Sequence, residues 1–173
     1  MGKTNLAITV VVCDAGPLIH LDELDSLWLL NDFPEVLVPR AVWNEVLHHR
    51  PQALAHDDVM LNCFTSTMAL SPELRAVSRL FPLHEGETQA LSLAKSRHVD
   101  LLLTDDTAAR LAAKNLGIPV HGSIGILLRS MRRGQCSQRD IISLLEAIPE
   151  RSSLHIKPSL LREIIQKVQE QRT

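Results

Sequence analysis

Acidic residues stand at the ends of apolar runs in this sequence, a placement that lets carboxylates do chemistry. Asp14 follows the apolar run 8–13, and Asp105 and Asp106 follow the run LLLT at 101–104. Such runs predict buried strands, and ligands of an open α/β sheet bind beyond the carboxyl ends of its strands. Carboxylates gathered there repel one another and need a cation to stay ionised together. The pattern therefore predicts a metal site and phosphodiester chemistry.

Two glutamates, Glu45 and Glu87, extend this acidic set and lie in segments with helical spacing. Taken singly, the acids have another explanation, because an aspartate at a helix start is a preferred cap. In the same way, Glu85 or Glu87 would suit the first turn of its helix. Two acids at strand ends and two on helices nevertheless fit one crevice better than four unrelated surface positions.

The elements that must position these acids alternate between strand and helix. Strands are predicted over 7–13, 35–39, 101–104 and 118–122. Helices are predicted over 17–30, 40–49, from the Ser-Pro-Glu start at 71–73, 86–98, 107–117, 123–134, 137–147 and 158–171. The segment 52–70 is ambiguous, and 149–153 is expected to be a loop. Alternation with short links predicts a three-layer α/β/α fold around a mostly parallel sheet of four to five strands.

Composition limits the class of protein. The chain has 173 residues, 45% of them apolar, which fits one globular domain over 1–150 with a helical tail over 151–173. No apolar run reaches the roughly 18 residues that span a bilayer, so we expect a cytoplasmic protein with no membrane contact. The three cysteines form no CxxC pair, which excludes a zinc knuckle. A net charge of −2 leaves nucleic-acid binding to local basic patches.

Five segments of the chain resemble, in order, the motifs of the PIN-domain nucleases, especially the VapC-like subgroup of uncharacterised PIN-like proteins. They cover most of residues 8–135, and each is short, so their order carries the resemblance. The segments are DAGPLIHL (14–21), EVLVPRAVWNEV (35–46), LHEGETQALSLA (83–94), LLLTDDTAAR (101–110) and GIPVHGSIGILL (117–128).

This resemblance implies a PIN-like fold and an endoribonuclease that depends on Mg²⁺ or Mn²⁺. Asp14, Glu45 and Glu87 match the first three acids of the family, and Asp106 is slightly preferred to Asp105 as the fourth because the family often shows Thr-x-Asp. The implied catalytic set is Asp14, Glu45, Glu87 and Asp106, and the implied metal ligands are Asp14, Glu87, Asp105 and Asp106.

The turn after the first aspartate departs from the family, since Ala15 and Gly16 stand where many members have a Ser or Thr. Thr104 and Ser123 are the remaining hydroxyl candidates for supporting contacts to metal-bound water or phosphate. The hydrolysis itself needs no Ser, Cys or His nucleophile, because a divalent cation can activate water and neutralise phosphoryl charge.

A basic cluster and the C-terminal helix raise the question of partners. Arg129, Arg132 and Arg133 could contact RNA phosphates or could simply stabilise the end of their helix. The segment 159–171 has an apolar helical face that would pack on the domain or on a dimer mate. The resemblance implies an RNA substrate, a homodimer and, for a toxin-type member, a small antitoxin protein.

Two other classes of function compete with the nuclease. A haloacid-dehalogenase-type phosphatase needs Asp-x-Asp after its first strand, and a receiver-like phosphoryl-transfer domain needs a lysine after a late strand. Asp14 is followed by Ala15 and Gly16, and the late strand is followed by residues 121–123, which read His-Gly-Ser. Both competitors are therefore weakened, whereas a non-catalytic PIN-like binding or regulatory module stays open.

Overall fold

A five-stranded parallel sheet forms the centre of the protein in a computed structural model that describes residues 8–66 and 69–171. All pairings in the sheet are parallel, in the order β3-β2-β1-β4-β5. The predicted α/β class with a parallel sheet is confirmed. The strands are β1 (Val10–Cys13), β2 (Glu35–Pro39), β3 (Leu61–Phe64), β4 (Leu101–Leu103) and β5 (Val120–His121).

Side chains alternate along the central strands and fill two separate hydrophobic cores. Val11 and Cys13 of β1 point to one core, while Val12 points to the other. Leu102 of β4 joins Val12, and its neighbours Leu101 and Leu103 join the opposite core. A strand buried on both faces needs apolar residues at every position, which explains the continuous apolar runs in the sequence.

Eight helices among the described residues cover the two faces of the sheet. Leu74, Leu91 and Ala112 belong to the core that α3, α4 and α5 cover, whereas Leu18 and Ile126 belong to the opposite core. None of these helices is long and apolar enough to cross a membrane. The helices are α1 (Ala15–Glu23), α2 (Arg40–His49), α3 (Pro72–Ser78), α4 (Glu85–Arg97), α5 (Thr107–Asn115), α6 (Ser123–Arg132), α7 (Gln138–Arg151) and α8 (Pro158–Glu170).

The predicted helix over 17–30 is wrong in its middle, where the chain breaks into α1 and a 3-10 helix at Leu27–Asp32. Asp25 between them has φ +52°, a left-handed conformation that ends an α-helix. The leucines of both pieces still reach the core, because a 3-10 turn after the break turns them inward. Apolar spacing alone therefore overestimated the length of the helix.

The sequence leaves one further segment open between helix and strand, and another differs from the sequence-based expectation. The ambiguous 52–70 region contains β3 after a 3-10 helix at Pro51–Leu54, and its residues 67–68 lie outside the described residues. The loop expected over 149–153 begins only after Arg151, since α7 continues through Pro149. Ile148 is fully buried and its carbonyl accepts the Ser152 N–H at 3.0 Å, which closes the last turn despite the proline.

The C-terminal helix packs against α7 of the same chain. Leu161 and Val168 of α8 are buried in the core that also holds Ile141 and Leu145 of α7. The Gln138 amide nitrogen, at the start of α7, donates to the carbonyls of Val168 at 2.5 Å and Gln171 at 2.8 Å, where α8 ends. Side-chain donors at this position satisfy carbonyls that the helix cannot pair itself.

The left-handed residue that ends α4 provides a test of the fold. His98 is exposed and has φ +50°, a conformation that glycine adopts without the steric cost of a Cβ. We expect His98→Gly to raise the free energy of unfolding by about 0.5–1 kcal/mol, measured by urea denaturation. His98→Ala is the matched control, because it removes the ring and keeps the strain. A glycine variant no more stable than the alanine variant would contradict the assignment.

Candidate active site at the carboxyl edge of the sheet

The predicted acids meet in one pocket beyond the carboxyl ends of β1 and β4. The pocket has a volume of about 550 Å³. Its acidic lining residues are Asp14, Glu45, Glu87, Asp105 and Asp106. The acids come from four parts of the fold, since Asp105 and Asp106 are adjacent, and the parallel sheet brings together residues that are up to 92 positions apart in sequence. The juxtaposition that the sequence predicted is present, while the chemical role of each acid stays a prediction.

Asp14 carries the most strongly perturbed carboxyl of this pocket. Its side chain makes no cap hydrogen bond to α1; instead it accepts a hydrogen bond from the Thr104 hydroxyl at 2.7 Å. The pKa of Asp14 is raised to about 6, mainly by burial and also by the charges of Glu87 and Glu45, against the lowering effect of the Thr104 and Ala15 hydrogen bonds. Asp14 is therefore a charged group held where its charge is unfavourable, which is typical of functional sites.

Glu87 and Asp106 serve as helix caps and pocket residues at once. One oxygen of Glu87 accepts the His84 N–H at 2.5 Å, and one oxygen of Asp106 accepts the Ala109 N–H at 2.7 Å. Burial raises the pKa of Glu87, the His84 N–H lowers it, and the Asp106 charge raises it. The capping explanation thus holds for these two acids, but it fixes their carboxylates at the pocket instead of removing them from it.

Asp105 differs from Asp106, because its carboxylate joins two helices. It accepts hydrogen bonds from the Ser123 N–H at 2.8 Å, the Ser123 hydroxyl at 2.5 Å and His20 Nδ1 at 2.8 Å. Burial raises the pKa of Asp105, but the His20 and Ser123 hydrogen bonds outweigh it and hold the pKa below its usual value. This network assigns Asp105 a structural contact between α1 and α6, and its role as a metal ligand stays a prediction.

Glycine at two positions allows the carboxylates to approach. A Cβ at Gly86 would lie 3.1 Å from Glu45 Oε2 and 3.3 Å from the Val42 side chain, so the bare backbone of α4 makes room for Glu45 of α2. A Cβ at Gly122 would overlap Asp105 Oδ1. The Gly-Glu pair at the start of α4 thus serves the site twice, since Gly86 admits Glu45 and Glu87 lines the pocket.

The predicted hydroxyls contact acids of the site, whereas two of the predicted arginines pair with Asp32. Thr104 and Ser123 are fully buried, and each donates to an acid of the site, which is a supporting contact. Arg129 and Arg133 both pair with Asp32, at 2.6 and 2.8 Å. Contacts of the predicted arginines, Arg132 included, with RNA stay a prediction.

Three histidines line the pocket and were not among the predicted site residues. His20 lies one helical turn after Gly16, so their i, i+4 spacing on α1 could have placed both at the pocket. His84 is the N-cap of α4, and its position two residues before the Gly86-Glu87 pair could have indicated that it lies near the site. His155 also lines the pocket, and it comes from the segment between α7 and α8. No local pattern in the sequence connects that segment to β1 or β4.

The residues of the pocket fit a hard divalent cation better than a zinc cage. Within residues 8–66 and 69–171, no three His, Cys, Asp or Glu side chains are drawn together closely enough to hold a metal alone. The donors at hand are carboxylate oxygens, which suit Mg²⁺ and Mn²⁺. Mg²⁺ keeps several waters and uses one or two carboxylates together with substrate phosphates. An open pocket that holds the buried carboxylate of Asp14 leaves room for such waters and phosphates.

The raised pKa of Asp14 predicts a stability effect in metal-free protein. The folded state binds the Asp14 proton more tightly than the unfolded chain, so this contribution is complete below pH 3.8 and is lost as pH rises through about 6. We expect Asp14→Asn, in EDTA at pH 8, to be more stable than the unchanged protein by at most about 3 kcal/mol. Urea denaturation across pH 4–8 measures the difference.

The exposed acid Asp57 supplies the control for this experiment. Asp57→Asn should leave the pH dependence as it is, while Asp14→Asn should flatten it above pH 4. Equal unfolding free energies for Asp14→Asn and the unchanged protein at pH 8 would show that the carboxylate carries no penalty. Addition of Mn²⁺ should then raise the Tm of the unchanged protein more than that of Asp14→Asn.

Comparison with known proteins agrees with the fold and with the resemblance. The model of a family described as a PIN domain (DUF3368) matches residues 10–170. Among solved structures, the chain is similar to a PilT N-terminus domain protein from the hyperthermophilic archaeon Sulfolobus solfataricus P2. That likeness has a TM-score of 0.50 and 14% identity over 71% of this chain and 94% of the other, and it shows the fold alone. No curated protein matches. Because the family match covers most of the sequence, the chain belongs to the PIN-domain family, whose members are generally nucleases.

Proposed function

We propose that this protein is a Mg²⁺- or Mn²⁺-dependent endoribonuclease. The observation that carries the proposal is the pocket in which Glu45, Glu87 and Asp106 surround the buried carboxylate of Asp14. Burial and neighbouring acids raise the pKa of Asp14 to about 6, so its ionised form gains from a nearby cation. Membership of a family of nucleases then assigns the expected chemistry to hydrolysis of a phosphodiester bond.

Each acid has a distinct position toward the reacting groups. Asp14 and Asp106 follow adjacent parallel strands and would hold the cation together with substrate oxygens, while Glu87 lines the same pocket. Glu45 approaches over Gly86 and would orient the attacking water. When bound, the cation supplies Lewis-acid stabilisation of phosphoryl charge. Thr104 holds the Asp14 carboxylate in place through its hydroxyl, so the acid keeps one orientation.

Basic groups beside the pocket support a polyanionic substrate. Burial is the main cause that lowers the pKa of His121, and the charges of Arg132, Arg110 and Arg129 lower it further. These three arginines therefore lie near the edge strand β5. Arg110 Nη1 also donates to the Thr104 carbonyl at 3.1 Å, directly behind the acids. Positive charge next to an acidic centre would attract phosphates and leave the scissile bond at the carboxylates.

The same proposal includes more specific assignments of compartment, assembly, biological role, partner and product. The protein would act in the cytoplasm as a homodimer and as the toxin of a toxin–antitoxin pair, with a small antitoxin as partner. RNA products would carry 3′-hydroxyl and 5′-phosphate ends. A short overlapping reading frame next to this gene would support the antitoxin.

A non-catalytic PIN-like module is the second candidate, and one observation favours it. Glu87 and Asp106 already act as helix caps, so both acids have a role that needs no cleavage. Calorimetric titration with Mn²⁺ and cleavage assays on mixed RNAs distinguish the two functions. Metal and RNA binding without cleavage would identify the module.

Substitution of single acids tests the enzyme directly. We expect Asp14→Asn, Glu45→Gln and Asp106→Asn each to lower kcat for a mixed single-stranded RNA by at least about 100-fold in Mn²⁺, because each removes charge that the transition state needs. Removal of Mn²⁺ with EDTA should abolish the activity of the unchanged protein. Gel analysis of end-labelled RNA measures the rate of cleavage.

Glu87→Gln and Glu85→Gln form a matched pair for this test. Both residues lie in the first turn of α4, but Glu87 lines the pocket whereas Glu85 accepts a hydrogen bond from Gln89 at 3.1 Å on the exposed surface. Glu87→Gln should lose activity and Glu85→Gln should keep it. Unchanged turnover in purified, folded Asp14→Asn would overturn the assignment.

A further inference from the structure

The segment between α7 and α8, residues 152–157, forms an extended strap along one side of the acidic pocket. Ser153, Leu154 and His155 of this strap line the pocket. The strap comes from a part of the chain that follows all five strands, and its residues are far in sequence from every acid of the site. It therefore adds a wall that the sheet and its connecting loops do not supply.

One carboxylate, that of Glu23, anchors the strap to the end of α1. Glu23 Oε2 accepts hydrogen bonds from the Ser153 N–H at 2.6 Å, the Ser152 hydroxyl at 2.9 Å and the Ser153 hydroxyl at 3.0 Å. Burial raises the pKa of Glu23, but these hydrogen bonds outweigh it and hold the pKa below its usual value. The anchor is therefore charge-assisted, and such hydrogen bonds are stronger than neutral ones.

Alternation along the strap separates an inner side from an outer side. Leu154 and Ile156 are partly buried against the hydrophobic core, whereas Ser153, His155 and Lys157 are exposed. Extended backbone turns successive side chains to opposite sides. The core thus holds the strap on its inner side, and the imidazole of His155 is left at a pocket lined by carboxylates.

From this placement we infer that His155 is a substrate-binding residue, which donates an imidazole N–H to a phosphate oxygen of RNA next to the scissile bond. The inference rests on the proposed function and adds a binding position to the same site. A phosphodiester brings negative charge to a pocket whose lining already holds five acids. Donors at the pocket are needed to offset that repulsion, and His155 of the strap provides one.

Glu23 is a positioning residue in this arrangement, since it acts on the substrate only through the strap. Loss of its carboxylate would release Ser152 and Ser153 and let His155 leave the pocket rim. The effects of Glu23 and His155 on RNA binding should therefore not add, because both substitutions remove the same contact. This non-additivity separates positioning from a general loss of stability.

Binding of intact RNA tests the inference in the full-length chain. All variants carry Asp14→Asn, which is expected not to cleave, and fluorescence anisotropy measures the Kd for a labelled single-stranded RNA of mixed sequence. We expect His155→Ala to raise Kd about tenfold, the usual cost of one hydrogen bond to a charged group. Glu23→Ala should give the same rise, and the double substitution should give no more. His155→Gln, which keeps an N–H donor, should recover most of the affinity.

His98→Ala is the matched control, because His98 is equally exposed but ends α4 about 20 Å from the pocket end of that helix. Its Kd should not change. Calorimetric titration of His155→Ala with Mn²⁺ should give the affinity of the unchanged protein; a loss would make His155 a metal-site residue and overturn the inference. If the protein cleaves RNA while His155→Ala and Glu23→Ala bind it normally, the strap inference fails alone. If it neither binds nor cleaves RNA, the proposed function fails with it.

Discussion

The carboxylate of Asp14 lies buried at the end of the central strand, and the site is arranged around that unfavourable charge. The Thr104 hydroxyl holds it at 2.7 Å, while Glu45 and Glu87 add repulsion. A stable frame must offset this cost, and the parallel sheet, covered on both faces by hydrophobic cores, supplies it. The hydrophobic cores thus stabilise the fold, while the buried carboxylate lowers its stability, as is common where a site holds a poorly solvated charge.

Glu87 and Asp106 combine a helix-capping role with a position at the pocket. A helix cap uses one carboxylate oxygen, so Glu87 and Asp106 can hold their helices and still present negative charge to the pocket. Asp105 shows the opposite arrangement, because three hydrogen bonds occupy its carboxylate. Two neighbouring aspartates therefore differ in how far hydrogen bonds occupy their carboxylates.

Local patterns in the sequence predicted every strand except β3, and also the convergence of the acids, because apolar runs and parallel topology decide both. They did not predict the break at Asp25 or the continuation of α7 through Pro149, which depend on tertiary packing. The hydrogen bond between His20 and Asp105 was not predicted either, since the two residues are 85 positions apart and only the spacing of His20 from Gly16 pointed to the pocket. His155 is harder still, because its place depends on how the α7–α8 pair docks. Contacts between distant segments leave no periodic signal in a sequence.

The three hydrogen bonds of Asp105 also decide which parts of the cleft can move. They tie α1 to the start of α6 across the end of β4, so this wall cannot widen unless all three break together. The opposite wall depends on Glu23 and on the partly buried Leu154 and Ile156, a smaller set of contacts. Local opening favours the less connected segment. The cleft is therefore more firmly connected at the wall beside Asp105 than at the wall beside Glu23, so that opening at the second wall would widen the entrance without changing the spacing of the carboxylates.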